Sequence, residues 1–298
     1  VSTTEFVLQL AINAFSIGSL YALMAIGLAM VFGILRLINF AHGDMIMVGS
    51  FAALLANLAG VPFALAALIG VASSAVAGII LERVAYRPIR GAPEVAMLLT
   101  SFAVTVFLEN LAILIFQPRS RPFPDPGLLG QTFTFGNLRV AGVDLVSIGV
   151  TLVLLVGLTF FVTRTRLGTS MRAVAEDLLA ARLVGIRINR VITAAFLIGS
   201  AAAGVVGILW SARVGKIDPL MGFYPVLKAF IASVIGGLGS LPGAVLGGYL
   251  LGFLEIALQG LLPTALVPYR DAFVFVALVV LLLFRRQGIM GTAVQEGD

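Results

Sequence analysis

FVLQLAINAFSIGSLYALMAIGLAMVFGI, residues Phe6–Ile34, holds no Asp, Glu, Lys or Arg. A helix crosses the hydrocarbon core of a bilayer with roughly 20 mostly apolar residues, and this run is longer than that. It predicts a permanent span. The residues before it carry Glu5 as their only charge and no basic region, so they do not read as a cleaved leader. The same pattern recurs along the chain and predicts spans at 40–60, 62–85, 94–117, 145–163, 191–212, 240–260 and 269–285. A shorter apolar piece, 225–236, is too short to cross without thinning of the bilayer or help from neighbours. The expected fold is an all-α polytopic membrane protein of eight helices, or nine if 225–236 also crosses. Residues 1–298 form a single membrane domain, because no stretch is long and polar enough to fold separately.

Composition agrees. Apolar residues make up 60% of the 298 positions and charged residues 11%, against about 45–50% and about 25% in soluble domains. There is no cysteine and one histidine, His42. This excludes disulfides, thiolate metal centres and His-rich metal sites. A Ser-His-Asp hydrolase could be built only on His42, and no nucleophile motif accompanies it. The two lysines, Lys216 and Lys228, are followed by Ile217 and Ala229. A nucleotide-binding P-loop needs Lys followed by Ser or Thr after a Gly-rich turn, so this chain cannot supply one.

The net charge of +5 could suggest nucleic acid, but in a membrane chain the placement of the cations decides its meaning. Segment 83–93 carries Arg83, Arg87 and Arg90. Segment 164–190 carries Arg164, Arg166, Arg172, Arg182, Arg187 and Arg190. The C-terminal end has Arg285 and Arg286. Short Arg-rich loops stay cytoplasmic, and all three groups share a side only if 225–236 also crosses or the Gly break after it lets the chain traverse in two pieces. That reading puts the N-terminus outside and the C-terminus inside. The opposite loop, 118–144, holds four prolines with Asp125 and Asp144, although Arg119, Arg121 and Arg139 blunt the bias.

Small residues recur every fourth position at Gly70, Ser74 and Gly78, at Gly199, Ala203 and Gly207, and at Gly239, Gly243 and Gly247. That spacing lines one helix face and lets backbones approach closely. Two stretches interrupt the helical pattern: Leu37–Gly43 (LINFAHG, followed by Asp44) and Gly236–Gly243 (GGLGSLPG). Transporters often build polar-cargo sites where spanning helices break near the midplane.

A charge at the centre of a span costs roughly 2.5–3.5 kcal/mol on insertion scales. The residues facing that cost are Asp44, Glu109, Lys228 and Glu255, with neutral Asn39, His42 and Asn110 nearby. Asp44 either lines a cargo path or caps the second span. Glu109 and Asn110 read as helix-to-helix hydrogen bonding. Lys228 and Glu255 read as side chains snorkelling from helix ends. In segment 164–190, Met171–Ile186 predicts one amphipathic helix with Val174, Leu178 and Ala181 on a face and Gly185 ending it. Its mixed charges, Glu176 and Asp177 among arginines, suit a protein groove better than an anionic lipid surface.

Five stretches then resemble one family. They are Leu20–Phe32 (LYALMAIGLAMVF), Ile38–Phe51 (INFAHGDMIMVGSF), Met171–Gly185 (MRAVAEDLLAARLVG), Met221–Gly248 (MGFYPVLKAFIASVIGGLGSLPGAVLGG) and Phe284–Gly288 (FRRQG). The chain resembles the LivH-type permease subunits of branched-chain amino acid ATP-binding-cassette importers, departing from the pattern at Arg286, where Pro is expected. The resemblance implies a permease with no catalysis of its own. It implies a homologous LivM-like second permease, two cytoplasmic ATPases that hold ATP and Mg, and an external solute-binding protein. It places a coupling helix at 175–185, with Ala175, Glu176, Asp177, Ala181 and Gly185. The translocation path falls at Asn39, His42, Gly43 and Asp44 and at Gly236, Gly237, Gly239 and Ser240. The rival reading is a stand-alone transporter or channel using Asp44 or Glu109 as a proton or ion site.

Overall fold

A computed structural model describes residues 3–35, 39–124, 127, 129–285 and 287–290. Leu37, Ile38, Asp125, Pro126 and Arg286, which figured in the sequence reading, lie outside the described residues. The helices are α1 (Thr3–Leu35), α2 (His42–Leu58), α3 (Phe63–Leu81, continued by a π turn over Glu82–Tyr86), α4 (Glu94–Phe116), α5 (Gly142–Arg164), α6 (Arg166–Glu176), α7 (Leu178–Leu183), α8 (Ile188–Val214), α9 (Phe223–Gly236), α10 (Leu241–Leu261) and α11 (Arg270–Phe284). Among the described residues, seven helical segments are long and apolar enough to cross a membrane. They correspond to the predicted spans other than 40–60. That one is α2, with 17 residues, and α9 has 14. At 1.5 Å per residue these reach about 26 and about 21 Å, short of the ~30 Å core.

The two short helices are short because both begin inside the bundle. The first turn of α2 meets the first turn of α9, where Gly43 lies against the Gly222 carbonyl and Val226. From that point α9 continues to the far end, where residues after α11 pair with its last turn through Ile289 N–H to the Ile235 carbonyl at 2.9 Å and Met290 N–H to that of Gly236 at 2.9 Å. The 225–236 piece thus carries the chain onward rather than back.

One end of the bundle is tied by small strands. β2 (Thr132–Phe135) and β3 (Leu138–Ala141) form an antiparallel hairpin, and β1 (Arg121–Pro122) pairs with β4 (Lys216–Ile217). The sequence reading had this region as loop only. The alternation of Thr and Phe in Thr132–Phe135 was the available signal. The hairpin is bound to the start of α1: Gln9 Nε2 donates to the Arg139 carbonyl at 2.8 Å, and Asn137 Nδ2 donates to Glu5 at 2.9 Å. Arg83, Arg87, Arg90, α6, α7 and the end of α11 gather at the opposite end, the arginine end.

Small residues set the packing. On α8, Gly199 lies against Gly27 of α1, and Gly207 against the Ile46 carbonyl of α2. On α3, Gly70 lies against the Gly49 carbonyl, and Ser74 Oγ reaches the Met45 carbonyl at 2.9 Å and the Ser200 carbonyl at 2.6 Å. On α10, Gly248 rests on Ala22 and Gly252 on Gly18 of α1. The stripes read on α3 and α8 pack as expected; on α10, Gly243 and Gly247 lie against Gly236 and the Ala232 carbonyl of α9, Gly239 precedes the helix, and Gly248 and Gly252 make a contact the sequence did not single out. The central element is α1, whose most apolar window is 83% buried, while α4, α5 and α11 are peripheral at 17%, 11% and 6%.

Candidate functional site

Among the described residues, three polar clusters bear on the sequence reading, beside a fourth in which Ser16 and Arg213 hold Asp144. The first is at the start of α2. Asn39 is buried, and its Oδ1 accepts a hydrogen bond from Tyr86 Oη at 2.7 Å, tying the first break to the end of α3. The Phe40 N–H donates to Ser101 Oγ of α4 at 3.3 Å. His42 is buried with its ring against Gly27. Asp44 is buried too, with the Thr105 hydroxyl of α4 beside it. His42 Nε2 is buried without a hydrogen bond, and Asp44 Oδ2 and Thr105 Oγ1 are buried with no partner beyond one another. Unsatisfied buried polar atoms are rare and costly, so the unpaired His42 nitrogen and the buried carboxyl–hydroxyl contact of Asp44 set this break apart from the apolar packing around it. The capping role expected as one reading of Asp44 is not seen: α2 begins after Ala41 with no side-chain cap.

Glu109 and Asn110, one turn further along α4, do not join helices. Asn110 Nδ2 donates to the Val106 carbonyl of its own helix at 2.7 Å.

The second break behaves differently. Ser240 caps α10, its Oγ accepting from the Gly243 N–H at 3.1 Å. Gly237 has φ 107°, a backbone state that needs glycine, and Gly239 lies against Gly33 of α1. Gly236 and Gly243 meet backbone to backbone. Asp44 thus lies against α4, while Asn39 is tied to Tyr86, His42 faces Gly27 of α1 and Gly43 faces Gly222 at the start of α9. Gly236, Gly237, Gly239 and Ser240 form a tight corner between α9 and α10.

The second cluster corrects the snorkelling expectation for Lys228 and Glu255. Each is 2% exposed, and they pair at 3.1 Å. Lys228 Nζ also reaches Asp271 at 2.8 Å, and Arg270 reaches the other oxygen of Glu255 at 2.7 Å. Tyr21 Oη donates to Glu255 at 2.8 Å, and Tyr224 Oη to Asp271 at 3.2 Å. This network joins α1, α9, α10 and α11. The sequence reading missed Tyr21, Tyr224, Arg270 and Asp271, since partners on four helices share no local spacing.

The third cluster is at the arginine end. Glu82 is fully buried and held by Arg87, Arg90 and Thr193 Oγ1. Beside it, Met171–Ile186 is not one helix. Asp177 adopts an extended conformation (φ −147°, ψ 110°) and its carboxylate accepts from the N–H groups of Leu179 at 2.8 Å and Ala180 at 2.9 Å. A short carboxylate competes with helix continuation in this way, which separates α6 from α7. Val174 and Ala181 are buried as the face predicted, and Gly185 ends the unit with φ 84°. Ala175 is half-buried, Glu176 and Asp177 are exposed, and Leu179, Leu183 and Val184 present apolar surface outward.

Among the described residues, no group of three His, Cys, Asp or Glu side chains could hold a metal ion. The arrangement is a helical bundle with a polar break inside it and an exposed two-helix element, α6 and α7, at one end. A family model described as "Branched-chain amino acid transport system / permease component" matches residues 10–284. The chain belongs to that permease family.

Its relatives span its whole length. It is 40% identical over 300 residues to the high-affinity branched-chain amino acid transport system permease protein BraD of Pseudomonas aeruginosa, covering 95% of each chain. It is 37% identical over 300 residues to the permease protein LivH of Escherichia coli K12, covering 96% of each. A more partial likeness, 35% identity over 134 residues, links it to the xylose transport system permease protein XylH of Escherichia coli K12, covering 43% of this chain and 33% of that one. No solved structure matches. The chain is a multi-pass membrane permease of the LivH type, a transport component.

Proposed function

We propose that this permease forms half of the pore of an ATP-driven importer for branched-chain amino acids or related small polar solutes in the cytoplasmic membrane, working by alternating access. The observation that carries the reading is full-length similarity to BraD and LivH. Its partners are then a LivM-like second permease, two ATPases carrying ATP and Mg, and an external solute-binding protein. The arginine end faces the cytoplasm on the positive-inside rule, which puts the N-terminus outside and the C-terminus inside.

The cargo path runs past Asn39, His42, Gly43 and Asp44, whose buried polar atoms supply the polarity a small zwitterion needs. Gly236, Gly237, Gly239 and Ser240 form its closure at the arginine end. The unit from Ala175 to Gly185 is the coupling element. Val174 and Ala181 anchor it to the bundle, while Leu179, Leu183 and Val184 offer the apolar surface an ATPase groove would cover.

Uptake into liposomes by the chain alone and by the full complex tests this reading. Uptake should require the complex and ATP. ATP-independent uptake by the chain alone would instead support an ion-coupled carrier using Asp44 or Glu109, a reading favoured only by the burial of the Asp44 carboxyl away from any cation.

The coupling element makes a finer prediction. Asp177→Ala removes the α7 cap, worth about 1 kcal/mol, and should lower ATP-driven uptake several-fold while ATPase activity persists. Asp177→Asn keeps a capping oxygen and should restore most of the uptake. Replacing Glu176 and Asp177 together with Arg should uncouple the two activities fully. Unchanged uptake and ATPase rates in that double variant would remove coupling from this element.

A further inference from the structure

Between the π turn after α3 and the first turn of α8 lies an open cleft of about 370 Å³, lined by Arg83, Arg87, Asn189, Arg190 and Thr193. Its charge is unbalanced. The one carboxylate there, Glu82, is buried and already held by Arg87 and Arg90. Arg83 and Arg190 are exposed, and neither side chain has a hydrogen bond or ion pair among the described residues. The cleft also faces the N-terminal turn of α8, a 27-residue helix whose free N–H groups and dipole favour an anion.

The element that supplies Arg83 and Arg87 also carries exposed apolar side chains. Val76, Ile80 and Val84 are 55%, 56% and 72% exposed. Val76 and Ile80 share a face of α3, and Val84 follows in the π turn next to Arg83. A guanidinium cluster at the end of a spanning helix that also carries exposed apolar side chains over about two turns suits the two-part chemistry of a phospholipid: a phosphate for the arginines and acyl chains for the apolar side chains. A soluble anion would use only the first part. An ATPase docking at the end of the bundle would not cover those side chains.

We propose that this cleft is a binding site for an anionic phospholipid, its headgroup phosphate held by Arg83, Arg87 and Arg190 and its chains lying along Val76, Ile80 and Val84.

The test is native mass spectrometry of the assembled permease complex in detergent, titrated separately with phosphatidylglycerol, phosphatidylcholine and inorganic phosphate. Phosphatidylglycerol should be retained in preference to phosphatidylcholine. Replacing Arg83 and Arg190 together with Gln should weaken its binding roughly thirtyfold, on the scale of one surface arginine's attraction to anionic lipid taken twice. Replacing both with Lys, which keeps the charges, should recover most of the binding and shows that the loss is not misfolding. Arg119→Gln, at the opposite end of the bundle, should leave it unchanged. Equal retention of phosphatidylcholine, an unaffected Gln variant, or an equal loss in the Arg119 control would overturn the proposal. Displacement of the lipid by millimolar inorganic phosphate would assign the cleft to a free anion and overturn it as well. So would loss of the ATPases from the Gln variant in lipid-free detergent, which would make the arginines a protein-docking surface.

Discussion

Glu255→Gln should destabilise the permease by about 3–5 kcal/mol, the cost of removing one partner from a buried ion pair. Glu255 is the shared acceptor of its network: it takes Lys228 at 3.1 Å, Arg270 at 2.7 Å and the Tyr21 hydroxyl at 2.8 Å. Gln keeps the shape and one acceptor oxygen but removes the charge. Lys228, at 2% exposure, and Arg270 would then share Asp271, whose side chain is 41% exposed. One cation would be left inside an apolar bundle without a counter-charge, and its desolvation is what makes the loss large.

The effect should be strongly non-additive. Lys228→Met with Glu255→Leu removes one charge of each sign and leaves Arg270 with Asp271. Replacing a buried pair by apolar residues of similar size is often neutral. The double variant should therefore melt closer to the parent than Glu255→Gln does, giving a coupling energy of about 0.5–3 kcal/mol in a double-mutant cycle. The measurement is the thermal unfolding midpoint of the purified protein in detergent. An unchanged midpoint for Glu255→Gln would show the network to be dispensable.

The same residues show where sequence reading stopped. Lys228 and Glu255 stood out as charges within apolar runs, but their separation along the chain hid the pairing, and snorkelling was the reading that needed no partner. Spans were legible because the bilayer imposes one length and one composition on every crossing. Depth within the bundle was not. The first and last spans, α1 and α11, have the same mean hydropathy, yet one window is 83% buried and the other 6%. Lipid and protein interior are equally apolar, so hydropathy cannot separate them. The small-residue stripes carried that information instead, and they lie on the central helices. The break at Asp177 was also readable in principle, since an Asp followed by an apolar run is an N-cap signal. The amphipathic period continues in phase across it and outweighed that signal. The break at Asn39–Asp44 was flagged by the Gly interruption, while the α4 residues beside it, Ser101 and Thr105, sat in a run with nothing to distinguish them.

Gly43→Leu and Gly222→Leu should each abolish ATP-driven uptake. The two glycines are where the broken ends of α2 and α9 meet. A Cβ on Gly43 would collide with the Gly222 carbonyl, and a Cβ on Gly222 with the Gly43 carbonyl. Both obstacles are backbone atoms, which cannot rotate aside as a side chain would. Neither glycine has a positive φ, so the penalty is steric rather than conformational. Overpacking costs about 1–3 kcal/mol in cores that can shift, and here relief requires one helix to move off the other. That motion displaces His42 and Asp44, one residue to either side of Gly43, from their places beside Gly27 and Thr105. Because both substitutions break the same contact, the double variant should be little worse than either alone. Gly149→Ala on α5 is the matching control, since a Cβ there meets nothing within 4 Å. Gly149→Ala should be neutral or more stable by about 0.5–1 kcal/mol, the usual gain from replacing a helical glycine. Uptake by the reconstituted complex, read beside the melting midpoint, decides the matter. Parental uptake by either Leu variant would mean that the helix ends can part without cost, and that the junction of α2 with α9 does not shape the path.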